Sequence, residues 1–142
     1  MDENVLYYLA GIFDGEGSVY ITKQRNSYTL GVGVDMVNQV IPMLFRALFK
    51  GTLQHYPAKG ERKEHYKWIA QANQALNFLK EIEPYSLIKG EQIELGIKFQ
   101  ERKGGRGYTI SDTGKELELM DKARMSGLNL KKGTNKEKVN EG

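Results

Sequence analysis

Leu9-Ala10-Gly11-Ile12-Phe13-Asp14-Gly15-Glu16-Gly17 joins the apolar end of a helix to two acids set among glycines. Ahead of it, Asp2, Glu3 and Asn4 offer N-cap candidates, whose side-chain oxygens can accept from the unpaired N–H groups of a first helical turn. Val5, Leu6, Tyr7, Tyr8, Leu9, Ile12 and Phe13 then leave no polar stripe, and a helix apolar nearly all round is normally buried on more than one side. Gly11 costs such a helix about 1 kcal/mol relative to alanine. Ala10 and Gly11 together therefore suggest a packing reason, close approach of another backbone. The acids fall where the helix stops, so the stretch reads as a buried strut with something held at its tip. A buried N-terminal helix ending in a Gly-rich turn, with no chemistry attached, is the plainer reading.

Beyond Gly17 the periodicity changes from helical to alternating. Val19 and Ile21 face one way, with Ser18, Tyr20, Thr22 and Gln24 the other. After the turn-like Gln24-Arg25-Asn26-Ser27, Leu30, Val32, Val34 and Met36 alternate with Thr29, Gly31, Gly33 and Asp35. A period of two predicts a hairpin with one buried face. Gly31 and Gly33 on the other face mark close approach of a ligand or another backbone, or else a bulge or strong twist. Asn38-Gln39 opens a helix to about Phe49, with Val40 or Ile41, Leu44, Phe45 and Leu48 at helical spacing, Pro42 in its first turn and Gly51 as its stop. A second hairpin, 52–57 and 65–70, spans a polar loop. Tyr66 and Trp68 are expected inward and Lys67 outward, while Gln54 and Tyr56 fit either face.

Ala75, Leu76, Phe78, Leu79 and Ile82 repeat at helix spacing as far as Pro84, and Ser86-Leu87-Ile88-Lys89-Gly90-Glu91-Gln92 leads into another helix with Ile93, Leu95, Ile97 and Phe99. Past the basic connector Lys103-Gly104-Gly105-Arg106-Gly107, a last helix is expected from Thr113 to Met125. The residues that follow carry four lysines and few apolar side chains, a composition with little reason to fold. The chain thus reads as a single domain over 1–126 with a flexible basic tail over 127–142.

At 142 residues the chain is long enough to bury a real core. With no cysteine, disulfides and thiolate metal sites are excluded, and with His55 and His65 as the two histidines a histidine-rich metal site is not expected. No apolar run approaches the roughly 18 residues of a membrane span, and the acidic start is unlike a signal peptide. No membrane partner is expected. Residues 1–22 hold Asp2, Glu3, Asp14 and Glu16 and no Lys or Arg; all 21 basic residues lie beyond Thr22 with the other 14 acids, giving +7 there against −4 at the front. An acidic spot in a basic body is what a metal-dependent nuclease would need, since lysine and arginine attract phosphate while carboxylates hold a cation, but an ordinary basic protein shows the same balance.

LAGIFDGEG resembles the LAGLIDADG signature of homing endonucleases, with its Leu, Ala, Gly, first acid and last Gly, and Glu16 at the position of the second acid. The element order helix, two strands, helix, two strands, helix is the αββαββα order of that family, so the resemblance covers about residues 3–103. It implies an α+β LAGLIDADG fold with an antiparallel β-saddle, here followed by a C-terminal helix and tail. In the family two such helices pack together at the centre of a dimer or pseudo-dimer. A single copy of the signature implies a homodimer, with Leu6, Leu9, Ala10 and Phe13 at the interface and a near-palindromic DNA target.

The resemblance also implies a site-specific double-stranded DNA homing endonuclease that hydrolyses phosphodiester bonds in the service of intron or intein mobility. Its setting would be intracellular, in a prokaryotic cytoplasm or an organelle matrix or stroma. Glu16 and the Gly15 carbonyl would bind Mg²⁺, with Mn²⁺ as a substitute, because hard oxygen donors favour such ions. Asp14, the first acid, has a structural role. Asn38 matches a polar family position that orders water near the metals, and Lys89 matches the family lysine beside the active centre, giving Glu16, Asn38 and Lys89 as catalytic candidates. Glu16 is one methylene longer than the family Asp, and the arginine found shortly after the Asn38 position is not matched here. DNA would be read in the major groove by Tyr20, Thr22, Gln24, Arg25, Thr29 and Asp35 of the first hairpin and Gln54, Tyr56, Arg62 and Lys67 of the second. The alternative is a cleavage-deficient relative acting as an RNA splicing maturase, with RNA as partner, or as a DNA-binding regulator. A structural protein with a coincidental motif is the third reading.

Overall fold

Asp2 caps the first helix of the computed structural model: its Oδ1 accepts from the Asn4 N–H at 2.7 Å, and α1 runs Glu3–Glu16. The structure describes the backbone of residues 1–103 and 112–141 and the side chains of 1–103 and 114–130; the connector from Gly104 to Gly107 lies outside them. After α1 come β1 (Gly17–Gln24), β2 (Ser27–Met36), α2 (Val40–Phe49), β3 (Thr52–Tyr56), β4 (His65–Gln71), α3 (Ala72–Ile82), a 3₁₀ turn (Glu83–Tyr85), α4 (Gly90–Lys103) and α5 (Asp112–Glu141). The fold is α+β in the expected order.

The four strands form one antiparallel sheet in the order β1-β2-β4-β3. Its register places Val19 opposite Val32, Ile21 opposite Leu30 and Val34 opposite Trp68. Apolar cross-strand pairs therefore share one face, and the helices cover it. The core is aromatic at its centre: the Trp68 ring lies 5.1 Å from Phe45 and 5.0 Å from Phe78, and Phe49 meets Phe78 edge-on at 4.7 Å. Rings in such geometry add to the stabilisation that burial gives. Trp68 is fully buried on the inward side as its alternation predicts, whereas Tyr66 shares that face by register but stays half-buried at its edge, stacked on His55. Trp68 Nε1 donates to the Lys50 carbonyl at 2.6 Å. That bond holds the reversal after α2, where Gly51 adopts φ +94° and a Cβ would stand 2.4 Å from the Ile69 carbonyl oxygen.

α5 continues past Met125, where the last helix was expected to stop. No proline interrupts it, Met125 is fully buried, and Leu128 packs against the core. Asn129 Nδ2 donates to the Val19 carbonyl of the edge strand β1 at 3.0 Å. Lys103 Nζ donates to Glu118 Oε1 and to the Tyr28 carbonyl, both at 2.6 Å, tying α4, α5 and the first hairpin together. Among the described residues, no helix is long and apolar enough to cross a membrane.

Candidate active site and nucleic-acid interface

Phe13 fixes the tip of α1. Its ring packs edge-on against Phe78 at 4.9 Å, and the Gly17 N–H closes the helix on the Phe13 carbonyl. A Cβ at Gly17 would stand 2.2 Å from that ring, which is why the last position of the motif must be glycine. Asp14 turns inward and grips the segment before α4. Its Oδ1 accepts from Ser86 Oγ at 2.5 Å and from the Lys89 N–H at 3.3 Å, and its Oδ2 accepts from the Leu87 N–H at 2.8 Å. Burial opposes the Asp14 charge, but the Ser86 hydroxyl and the backbone N–H groups of Leu87, Lys89 and Ile88 outweigh it and hold the carboxyl below its ordinary value.

Lys89 is buried, and its Nζ donates to the Asp14 carbonyl at 3.1 Å. The C-terminal carbonyls of a helix carry partial negative charge and favour a cation there. With Asp14 so engaged, Gly15 and Glu16 remain exposed at the tip. A carboxylate and a carbonyl at the negative end of a helix suit a hard divalent cation. Yet the described residues hold no group of three or more His, Cys, Asp or Glu placed to share a metal ion. The Glu16 carboxylate and the Gly15 carbonyl are by themselves too few donors for Mg²⁺, and water, substrate or a second copy would have to add the rest. Asn38 follows β2, whose Val34 pairs with Gly17. It is exposed, and its Oδ1 accepts from the Val40 N–H at 2.8 Å, starting α2.

The expected interface residues need correction. Leu6, Leu9, Ala10 and Phe13 are buried in their own chain's core, because one side of α1 lies on α3 and the sheet. The outward stripe is instead Tyr8, Gly11, Ile12 and Gly15, all exposed except the half-buried Ile12. Ala10 serves packing within the chain, whereas a Cβ at Gly11 would meet nothing within 4 Å.

The sheet face turned from the helices gathers most of the expected base-reading residues. Tyr20, Thr22 and Gln24 stand on β1, Thr29 and Asp35 on β2, Gln54 and Tyr56 on β3, and Lys67 on β4, with Thr22 opposite Thr29, Asp35 opposite Lys67 and Gln54 opposite Lys67. The register settles the open phase of Gln54 and Tyr56 in favour of this face. It also explains Gly31: Tyr20 pairs with it, and a Cβ there would lie 2.2 Å from the Tyr20 ring. The glycine accommodates a neighbouring tyrosine, whose hydroxyl pKa is raised by burial and secondarily by Tyr56. Arg25 sits exposed at the hairpin tip with φ 53°, and Arg62 lies exposed in the β3–β4 loop. Two participants were not singled out from sequence. Ser86 binds an acid 72 residues earlier, and His65 Nδ1 lies 2.6 Å from Asp35 Oδ1. A hydroxyl just ahead of a helix start was the only signal for Ser86; His65 offered its titratable ring alone.

No sequence-family model matches the chain, and a comparison with curated proteins finds no match. Solved structures do match. The homing endonuclease I-CvuI, in complex with its target in the presence of calcium, is 14% identical with a TM-score of 0.66, covering 88% of this chain and 82% of that one. The archaeal intron-encoded homing endonuclease I-Vdi141I, complexed with DNA, is 15% identical with a TM-score of 0.68, covering 89% and 86%. The LAGLIDADG meganuclease I-AabMI, bound to uncleaved DNA, is 16% identical with a TM-score of 0.66, covering 83% of this chain but 43% of that one. At such identities the likeness is one of fold: this chain has the fold of the LAGLIDADG homing endonucleases.

Proposed function

We propose that this chain, built on the LAGLIDADG homing endonuclease fold, is a site-specific double-stranded DNA endonuclease that acts as a homodimer with Mg²⁺, or with Mn²⁺ in its place. The observation that carries this reading is the α1 tip. Asp14 is committed to holding Lys89, while Gly15 and Glu16 stand open at the end of a helix whose outward stripe is left uncovered by its own chain at Tyr8 and Gly11. A two-fold axis along that stripe would bring two tips together and complete the cation site that one chain leaves partial.

Divalent ions, when bound, supply charge stabilisation to the attacked phosphate and acidify water. The remaining work falls to the chain's own groups. Glu16 and the Gly15 carbonyl would hold the divalent cation, which would in turn bind the substrate phosphate. Lys89, fixed on the Asp14 carbonyl, opposes the negative charge that develops on phosphate oxygens. Asn38 accepts from the backbone through Oδ1, so its amide nitrogen is the atom placed to donate to water or phosphate. The open sheet face lies along the major groove, where Gln24, Arg25, Gln54, Arg62 and Lys67 meet base edges and phosphates. I-CvuI, I-Vdi141I and I-AabMI are each described bound to DNA, and I-CvuI with calcium or magnesium, which supports DNA and a divalent ion as the partners.

Selection of cleaved sequences from a randomised DNA pool in Mg²⁺ tests the reading. A long, nearly palindromic site is expected, with a solution mass of two chains. Binding to DNA without cutting of any sequence would overturn it in favour of a DNA-binding regulator.

A further inference from the structure

Asp35 is the only acid in the four strands, and it faces the side on which the proposed DNA would lie. A carboxylate there is repelled by phosphate unless its acceptor oxygens find donors. One oxygen is already engaged: His65 Nδ1 lies 2.6 Å from Asp35 Oδ1. The pair is uneven in exposure, with the His65 side chain 9% and the Asp35 side chain 39% accessible. Tyr56 lies flat on the imidazole, ring centroids 4.8 Å apart and planes 8° apart, so one face of the histidine is covered while the acid is more exposed. Lys67 stands directly across from Asp35.

We infer that His65 is a positioning residue, which fixes Asp35 as a one-sided acceptor that selects a base bearing an exocyclic amine, cytosine or adenine, at one position of the target. The inference rests on the DNA reading proposed above. In the major groove the cytosine N4 and adenine N6 amines donate, whereas guanine O6 and N7 and thymine O4 accept and would meet the carboxylate as repulsion. Imidazole Nδ1–H holds Oδ1 whether the ring is neutral or charged; this leaves Oδ2 for the base. The titratable or charged groups facing His65 are Asp35 from β2, Tyr56 from β3 and Lys67 on its own strand. Its neighbour Glu64 is held by His55 and Tyr66.

Site selection from a randomised pool with wild type, Asp35→Asn, His65→Gln and His65→Phe, each first confirmed folded by its melting curve, tests this. Wild type is expected to prefer cytosine or adenine at one position of each half-site by roughly ten- to hundredfold. Asp35→Asn and His65→Phe should erase that preference while other positions keep theirs. His65→Gln, which retains a donor, should keep the base preference. Identical base profiles for wild type, Asp35→Asn and His65→Phe would overturn the inference and leave the DNA reading standing. Failure of wild type to select any sequence would overturn both.

Discussion

Replacing Asp14 removes the clasp between the α1 tip and the segment before α4. Its carboxylate takes two short hydrogen bonds, from Ser86 Oγ at 2.5 Å and the Leu87 N–H at 2.8 Å, and a longer one from the Lys89 N–H at 3.3 Å. Hydrogen bonds to a charged group contribute about 1.5–3 kcal/mol each. Ser86 and Leu87 lie near solvent and can rehydrate, so the lower end applies and Asp14→Ala should cost about 3 kcal/mol. In a chain of this length that lowers Tm by roughly 10 °C. Asp14→Asn keeps one acceptor oxygen and should lose about half as much.

The pH dependence follows from the lowered folded-state pKa of Asp14, whose ordinary value is 3.8. A carboxyl with a depressed folded value stabilises fully above its unfolded value, and this contribution is lost as pH falls through the folded one. The gap in Tm between wild type and Asp14→Asn should therefore be constant near neutrality and close below about pH 4. Circular dichroism melts over that range measure it. An Asp14→Ala protein melting within about 2 °C of wild type would refute the clasp, as would a gap that widened in acid.

Gly17→Ala should destabilise the chain by about 1–3 kcal/mol, because its Cβ would stand 2.2 Å from the fully buried Phe13 ring; the urea midpoint reports it. Gly11→Glu meets no atom of its own chain within 4 Å, so it should leave the fold intact and yield monomers in sedimentation equilibrium, whereas an unchanged dimer would remove α1 from the interface. Lys89→Met keeps the buried stem without the ammonium and should slow single-turnover cleavage at least tenfold at unchanged DNA affinity, with roughly that factor expected of a lost electrostatic contact.

Several features were legible in the sequence because their cause is local. The alternation Leu30-Gly31-Val32-Gly33-Val34 identifies the buried face of β2, and the register with Tyr20 shows what the glycines admit. Pro42 and Gly51 bracket α2 as their backbone limits require. In α1 the same reading fails for a physical reason: with apolar residues nearly all round, nothing local distinguishes the inward Leu6, Leu9, Ala10 and Phe13 from the outward Tyr8, Gly11 and Ile12. The grip of Asp14 on Ser86, Leu87 and Lys89 crosses more than 70 residues, and that of His65 on Asp35 crosses 30. Such pairings arise from tertiary packing alone. Likewise α5 outruns its expected end: Met125 and Leu128 join the core and Asn129 bonds the edge strand, which composition does not record.

Glu16 offers the most direct test of the proposed chemistry, since it is exposed at the helix tip and absent from the core. Glu16→Gln removes the charge while keeping the shape of the side chain. With the selected DNA site and Mg²⁺, wild type should cut both strands, and the variant should bind the same site at comparable affinity, melt at the same temperature and fail to cut. Undiminished cutting by Glu16→Gln would contradict the assignment of the cation site to this residue.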